Sequence, residues 1–392
     1  MTVARLWLAL FLVGCGNTPT TGGNNDGGPP SGSDGSTTAP PPIAVTKCDG
    51  LTKTGQWENI IPPGVTNAQA IALDPFVSGT VWLGASPNVP GGLGGLFKSI
   101  DCGATWTHVN TGQNGDALDR GAMWSMAVDF TNQGTIYVVS PGGGNGLWKS
   151  TNAGVDWTQL FPQNSEWATH VVDNTVASVT MDPTNSQHLV VAPHSKCLAP
   201  YANMCNAEST DGGASWHMVI VNGDDWGEWT GPVVLNSTSW LETLGGLFLT
   251  TDSGQHWKSV MPSNVKYVTN AEWTHTPFRK SAMGYYYLPT SSPSGLIRSQ
   301  DGAAWTFVDK SPGGQFNAGF AMGDGKLFLS DWQGGGYWSA SESDVSTWTE
   351  LPKPPLFYMN QAFGGESMEY DEQHHVLYSA NFQGGLFRLV QP

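Results

Sequence analysis

Three stretches of this chain read S/T-x-D-x-G-x-x-W: Ser99 to Trp106, Ser209 to Trp216 and Thr250 to Trp257. A recurring motif of this kind constrains the fold, because every copy builds the same tight hairpin. Its Asp bonds backbone N–H groups of the turn, its Gly supplies a positive φ, and its Trp covers the hairpin. Ser150 to Trp157 has Asn152 in place of the Asp, Ser299 to Trp305 is one residue shorter, and Ser339 to Trp348 is degenerate. Ahead of the copies lie short apolar runs, such as 70–73, 80–83 and 95–98, then 126–128, 136–139 and 146–149. Four short strands per unit of roughly fifty residues predict a β-propeller.

The units fall near 65–110, 120–160, 172–221, 229–261, 267–310, 314–351 and 357–390, which makes seven blades. The last unit has no hairpin motif and no terminal Trp strand. Trp57-Glu58-Asn59-Ile60 resembles the outer strands that begin at Trp106 and Trp305, so the N-terminal strand is expected to complete the seventh blade and close the ring. Closure would leave no exposed edge for aggregation. The outer-strand tryptophans would then be Trp57, Trp106, Trp157, Trp216, Trp257, Trp305 and Trp348. The expected fold class is all-β: a single seven-bladed β-propeller with four-stranded antiparallel blades. Fifty glycines and 26 prolines suit short strands joined by turns better than long helices.

The motif resembles the Asp-box, or BNR repeat, of sialidases, of family 74 glycoside hydrolases such as xyloglucanases, of sortilin-type receptors and of photosystem assembly factors. The resemblance implies that the boxes join the two outer strands of each blade, away from any active site.

Arg5 precedes an apolar run that ends at Leu12-Val13-Gly14-Cys15. The run is too short to span a bilayer, which needs roughly twenty apolar residues. It reads as an export signal, and Gly14-Cys15 resembles the bacterial lipobox. That resemblance implies cleavage after Gly14 and lipid attachment to Cys15. The expected organisation is a signal at 1–14, a lipidated Cys and flexible Gly/Pro/Ser/Thr tether at 15–46, and the propeller at 47–392. Such a protein would be anchored to the bacterial cell envelope, at the outer membrane or cell surface. The four remaining cysteines suggest disulfides in an exported chain. Cys197 and Cys205 close a short loop, which leaves Cys48 for Cys102. No cysteine spacing resembles a zinc site, and His374-His375, on a turn of the far face, is given no metal role.

Lys and Arg number 16 against 32 Asp and Glu, a formal net charge of -16. That balance argues against nucleic acid, which needs clustered cations. A sialidase is excluded too: it holds its substrate carboxylate with three arginines, and this chain has only Arg120 and Arg279 outside the signal and the third strands that carry Arg298 and Arg388.

Function on a propeller belongs to the loops entering each inner strand and those between second and third strands. Acid beside tryptophan recurs there as Glu166-Trp167, Glu228-Trp229 and Glu272-Trp273. Indole faces stack on pyranose rings while carboxylates bond hydroxyls, so these loops suit a carbohydrate. Segment 327–338 resembles the family 74 segment in which an Asp precedes a Gly-Gly-aromatic strand and acts as a catalytic carboxylate. The resemblance makes Asp331 the first catalytic candidate, with Glu166, Asp173, Asp225, Glu228 and Glu272 as partners. Glycosidic hydrolysis needs two carboxyl groups about 5 to 9.5 Å apart. Trp124, Trp167, Trp229, Trp273 and Trp332 are the candidate sugar platforms, and Arg120, Arg279, Tyr267 and His275 complete the candidate binding set.

Three readings stay open: a glycoside hydrolase acting on a neutral or weakly charged polysaccharide, a non-catalytic glycan- or protein-binding propeller, and a polysaccharide lyase. The lyase would use Tyr267 or His275 as base, with Arg279, Arg120 or Lys266 neutralising a uronate. No cofactor is expected, calcium in an Asp-rich loop is left open, and the chain is expected to be a monomer whose partners are a glycan and, through Cys15, the membrane.

Overall fold

The computed structural model describes residues 44–45, 48, 51, 54–87, 91–140, 146–161, 165–201, 204–221, 231–243, 246–269, 278–313, 317–331, 336–355, 365, 367–381 and 385–392. They form seven four-stranded antiparallel sheets. The first blade runs from Ala68–Leu73 inside through Val81–Ala85 and Gly95–Ser99 to Thr107–His108 outside. The third is built from Val176–Asp182, Asn185–Pro193, Cys205–Ser209 and His217–Ile220. The sixth uses Asn317–Gly323, Lys326–Asp331, Tyr337–Ser341 and Asp344–Leu351. The seven-bladed all-β propeller expected from the repeat is the fold observed.

Each repeated motif forms the turn between third and outer strands. In the first blade the Ser99 hydroxyl donates to Asp101 Oδ1 and accepts the Gly103 N–H, while Asp101 Oδ1 accepts the Thr105 N–H at 2.8 Å. The same bonds recur around Asp211 and Asp252. Gly103 has φ +85, and a Cβ there would collide with Ile60. The indole N–H of Trp157, Trp216, Trp257 and Trp305 donates to a glycine carbonyl of its own turn, so the ring lies over the hairpin.

The core lies between blades, because successive residues of a strand face opposite neighbours. Tyr286 stacks on Phe278 within the fifth blade's cluster, while Tyr287 turns to Phe320 of the sixth.

Closure is made by the N-terminal strand. Trp57–Asn59 pairs antiparallel with Gly385–Val390 as the outer strand of the seventh blade, whose inner strands are Ser367–Asp371 and Val376–Asn381. Arg388, buried to 7% exposure, donates to Glu58 Oε2 at 2.9 Å and to the Cys102 carbonyl at 2.7 Å, tying closing strand, seventh blade and first hairpin turn together. Lys149 makes the corresponding bond from the second blade to Gly212 in the third. Asp371 adds a second clasp, accepting the Ser78 hydroxyl and the Gly79 N–H of the first blade, both at 2.8 Å. Disulfides join Cys48 to Cys102 and Cys197 to Cys205, as expected. Ala44–Val45 pairs parallel with Val77–Ser78.

Arg388→Met should remove the ion pair with Glu58 at the closure and cost about 3 kcal/mol. The midpoint of urea unfolding measures this, and an unchanged midpoint would show that strand pairing alone holds the ring.

Candidate functional site on the loop face

Opposite the hairpin turns, the blades present the segments that enter inner strands and those that link second to third strands. Helix Gly115–Asp119 enters the second blade. The Asn110 amide anchors it by donating to the Gly115 carbonyl and to Asp119, which also meets His108 Nε2 at 2.8 Å. Arg120 follows the helix, exposed, and pairs with Asp116 at 2.9 Å. That guanidinium holds the Asp116 carboxyl below the usual carboxylate range. Trp124 is half-buried, edge-on to His194 with ring centroids 4.8 Å apart.

Helix Glu166–His170 enters the third blade, its first turn capped by the Ser165 hydroxyl, which accepts the Ala168 N–H. Glu166 is exposed in that turn, where the helix dipole favours a carboxylate. Its Oε1 accepts the hydroxyl of Tyr201, which lies in the loop stapled by Cys197 and Cys205. The Glu166 carboxylate pushes the Tyr201 phenol up to about 12. His170 meets the same ring edge-on at 5.2 Å. Asp173 is exposed, with φ +62.

Trp167 needs correction as a sugar platform. It is 1% exposed and stacks on Phe161 at 4.8 Å within the third blade's core cluster, so neither indole face is open to a ligand. Arg279 is also displaced from the expected site. Its neighbours Phe278 and Lys280 both pack on Tyr286, which pairs with Ser299 at the hairpin end. Tyr267 instead pairs with Ser292 at the loop end and is 55% exposed, with Lys266 exposed beside it. Tyr267 and Arg279 therefore sit at opposite ends of the fifth blade.

Asp331 ends the second strand of the sixth blade at 4% exposure, and its N–H donates to the Gly336 carbonyl at 2.9 Å. It shares a strand face with Leu327 and Leu329, which pack with residues of the fifth blade, while Ser330 on the other face bonds the Gly365 carbonyl. Glu166 belongs to a third-blade cluster with Tyr201 and His170. Asp225, Glu228, Trp229, Glu272, Trp273, His275 and Trp332 lie outside the described residues.

One carboxyl group was missed by sequence reasoning. Glu242, on strand Ser239–Glu242 of the fourth blade, is fully buried and accepts the Asn206 amide at 2.7 Å from the third blade. Its Oε1 has no hydrogen-bond partner among the described residues. Burial pushes this carboxyl up to about 7, against the opposing effect of the Asn206 bond. The signal was present in Trp240-Leu241-Glu242-Thr243, where strand alternation puts Glu242 on the same buried face as Trp240.

No family model matches the chain. A xyloglucanase of Hypocrea jecorina is 26% identical over 264 residues, which cover 66% of this chain and 26% of that protein. Xyloglucanase Xgh74A of Acetivibrio thermocellus is 26% identical over 176 residues, covering 38% of this chain and 19% of that one. The chain thus matches about a quarter or less of the length of these curated relatives. Among solved structures, an ancestral GH74 enzyme superposes with TM-score 0.56 and 15% identity over 86% of this chain and 46% of its own. YCF48 bound to D1 peptide gives 0.57 and 13% over 90% and 100%. Virginiamycin B lyase from Staphylococcus aureus gives 0.56 and 12% over 85% and 97%. Such structural likeness establishes the propeller fold.

The buried Glu242 carries a pH signature. Its carboxyl lies at about 7 when folded and near 4.5 when unfolded, so the stability tied to its protonated form is full below pH 4.5 and is lost as pH rises through about 7. Glu242→Gln should therefore gain on the native protein across that window by about 2–3 kcal/mol. Denaturant midpoints from pH 4 to 8 measure it, and a pH-independent difference would place the ionised carboxylate in a solvated site.

Proposed function

We propose that the chain is a carbohydrate-active propeller that hydrolyses a neutral or weakly charged polysaccharide of the xyloglucan class. The observation that carries this reading is the sequence likeness to xyloglucanases over 264 residues. Asp331 supports it chemically: a carboxyl group at the loop end of a rigid strand, backed by apolar side chains, suits an acid or base of glycosidic cleavage. Its partner carboxyl comes from the loop face, with Glu166 and Asp173 available from the third blade and Asp225, Glu228 and Glu272 from the loops that follow. Trp124, Trp229, Trp273 and Trp332 supply the sugar platforms.

A non-catalytic glycan-binding propeller is the second reading. It is favoured by the engagement of Glu166 with Tyr201, which already occupies one of the candidate partner carboxylates. The lyase reading loses support from the separation of Tyr267 and Arg279 and from the pairing of Arg120 with Asp116. Export and lipidation at Cys15 belong to the same proposal, since a polymeric glycan is met outside the cytoplasm. No helix among the described residues is long and apolar enough to cross a membrane, and the lipid would provide the anchor.

Incubation with xyloglucan should release new reducing ends, and Asp331→Asn should lower kcat at least about a hundredfold while glycan retardation in affinity electrophoresis persists. Retardation without cleavage in the native protein would transfer the case to the binding module. Cys15→Ser should abolish incorporation of labelled fatty acid and release the protein from the membrane fraction; unchanged labelling would rule out the anchor at that residue.

A further inference from the structure

We propose that Glu242 and Asn206 form a proton-operated latch between the third and fourth blades, in which the neutral acid donates from Oε1 to Asn206 Oδ1 and loss of that proton frees the loop ends of the two blades. Asn206 is the second residue of Cys205–Ser209, and Glu242 ends Ser239–Glu242. The Asn206 amide donates to Glu242 Oε2 at 2.7 Å across the interface. That bond leaves one atom over on each side: Glu242 Oε1 and Asn206 Oδ1 both have no hydrogen-bond partner among the described residues. Both side chains are buried, so neither atom faces bulk water.

Both atoms are acceptors while the carboxyl is ionised, and two buried acceptors on a bonded pair do not satisfy one another. A single proton on Oε1 removes the conflict. The neutral acid then presents a donor and an acceptor from one carbon, the complement of the amide's Oδ1 and Nδ2, and two parallel bonds close the pair. Burial acts in the same sense, pushing this carboxyl up to about 7. The titratable groups of the third blade on this interface are Glu208, two residues along from Asn206, and the histidines and aspartate joined to it. His188 gives its two ring nitrogens to Asp182 and Glu208, and His217 gives Nε2 to the other Glu208 oxygen, so this group is paired within itself. Strands Pro232–Asn236 and Phe248–Thr250 flank Glu242 and carry no titratable residue. Asp224, Asp225 and Glu228 lie outside the described residues.

When the proton passes to solvent, a buried carboxylate is left with one hydrogen bond, and it gains water only if the interface opens at that end. The pair sits directly under two segments of the loop face. Cys205, beside Asn206, closes the staple to Cys197 around the loop that carries Tyr201. Thr243, beside Glu242, donates its hydroxyl to the Gly231 carbonyl, where the inner strand of the fourth blade begins. Val190, Val219, Val234 and Trp240 pack the rest of the interface and keep the two blades joined when the latch is open. The latch is closed below about pH 7 and open above it, because the raised acid holds its proton on the low side.

The test compares the full chain with its Glu242→Gln variant, whose amide reproduces the donor and acceptor of the neutral acid and so keeps the latch closed at every pH. Infrared difference spectra between the two should show a protonated-carboxyl stretch in the native protein that disappears as pH rises through about 7 and shifts in frequency in Asn206→Leu. Hydrogen exchange, corrected for the intrinsic effect of pH, should show protection across 204–207 and 239–243 falling at least about tenfold over the same rise. Protection in the first and sixth blades should hold, and Glu242→Gln should stay protected throughout. Absence of the acid band would overturn the proposal, as would an equal loss of protection in Glu242→Gln. A loss shared by all blades would do so too, since the proton would then act on the whole fold. So would a Glu242→Gln protein without native circular dichroism, since the interface would then reject the neutral pair.

Discussion

The pairing of Trp57–Asn59 with Gly385–Val390 is the constraint on which the rest of the propeller depends. Each blade buries its two faces against two neighbours, so an open ring would expose one face of the first blade and one of the last, together with the free edge of the seventh. Three register pairs, flanked by the Gly55 N–H on the Val390 carbonyl and the Ile60 N–H on the Leu386 carbonyl, are few for that task, and the surrounding chemistry supplements them. Arg388 and Asp371 each reach from the seventh blade to the first, and the Cys48–Cys102 bond fixes the lead that carries the closing strand. The interface made last by the chain is thus the one most heavily cross-linked.

The hairpin turns and the loop face divide the work. Each turn saturates its own Asp, Ser or Thr and Gly with local bonds, which makes that end of every blade alike. The loop end differs in residue type from blade to blade, and some of its residues, Leu118, Met123 and Trp167 among them, still pack into the core. Asp331 gains its fixed position from belonging to the strand end and not to the loop beyond it.

Much of this was legible in the sequence. The blade count, the closing strand and the disulfide partners follow from local rules: a hairpin that needs Gly and Asp, a Trp strand missing at one end, and four cysteines with one short spacing. The loop face was less legible. Trp167 reads as a platform beside Glu166, yet helix Glu166–His170 turns consecutive residues to different sides and sends the indole inward to Phe161. Arg279 was grouped with Tyr267 in the candidate binding set, although Tyr267–Val268 is already the inner strand and the chain beyond it has reached the hairpin end by Phe278. Glu242 was overlooked because an acidic residue in an apolar strand looks like a solvent-facing position until its neighbour Trp240 is seen to be enclosed. Side-chain direction in short irregular segments depends on tertiary packing, which periodicity does not encode.

The disulfide at Cys48 has a mechanical meaning. Tension arriving along the residues that precede it is met first by the pairing of Ala44–Val45 with Val77–Ser78 and then by the sulfur bridge into Cys102, whose backbone is bonded to Gly79 and Arg388 within the ring. The three pairings of Trp57–Asn59 are thus shielded from being unzipped one by one, and a chain held by its N-terminal end would transmit drag to a covalent bond instead of to its weakest seam.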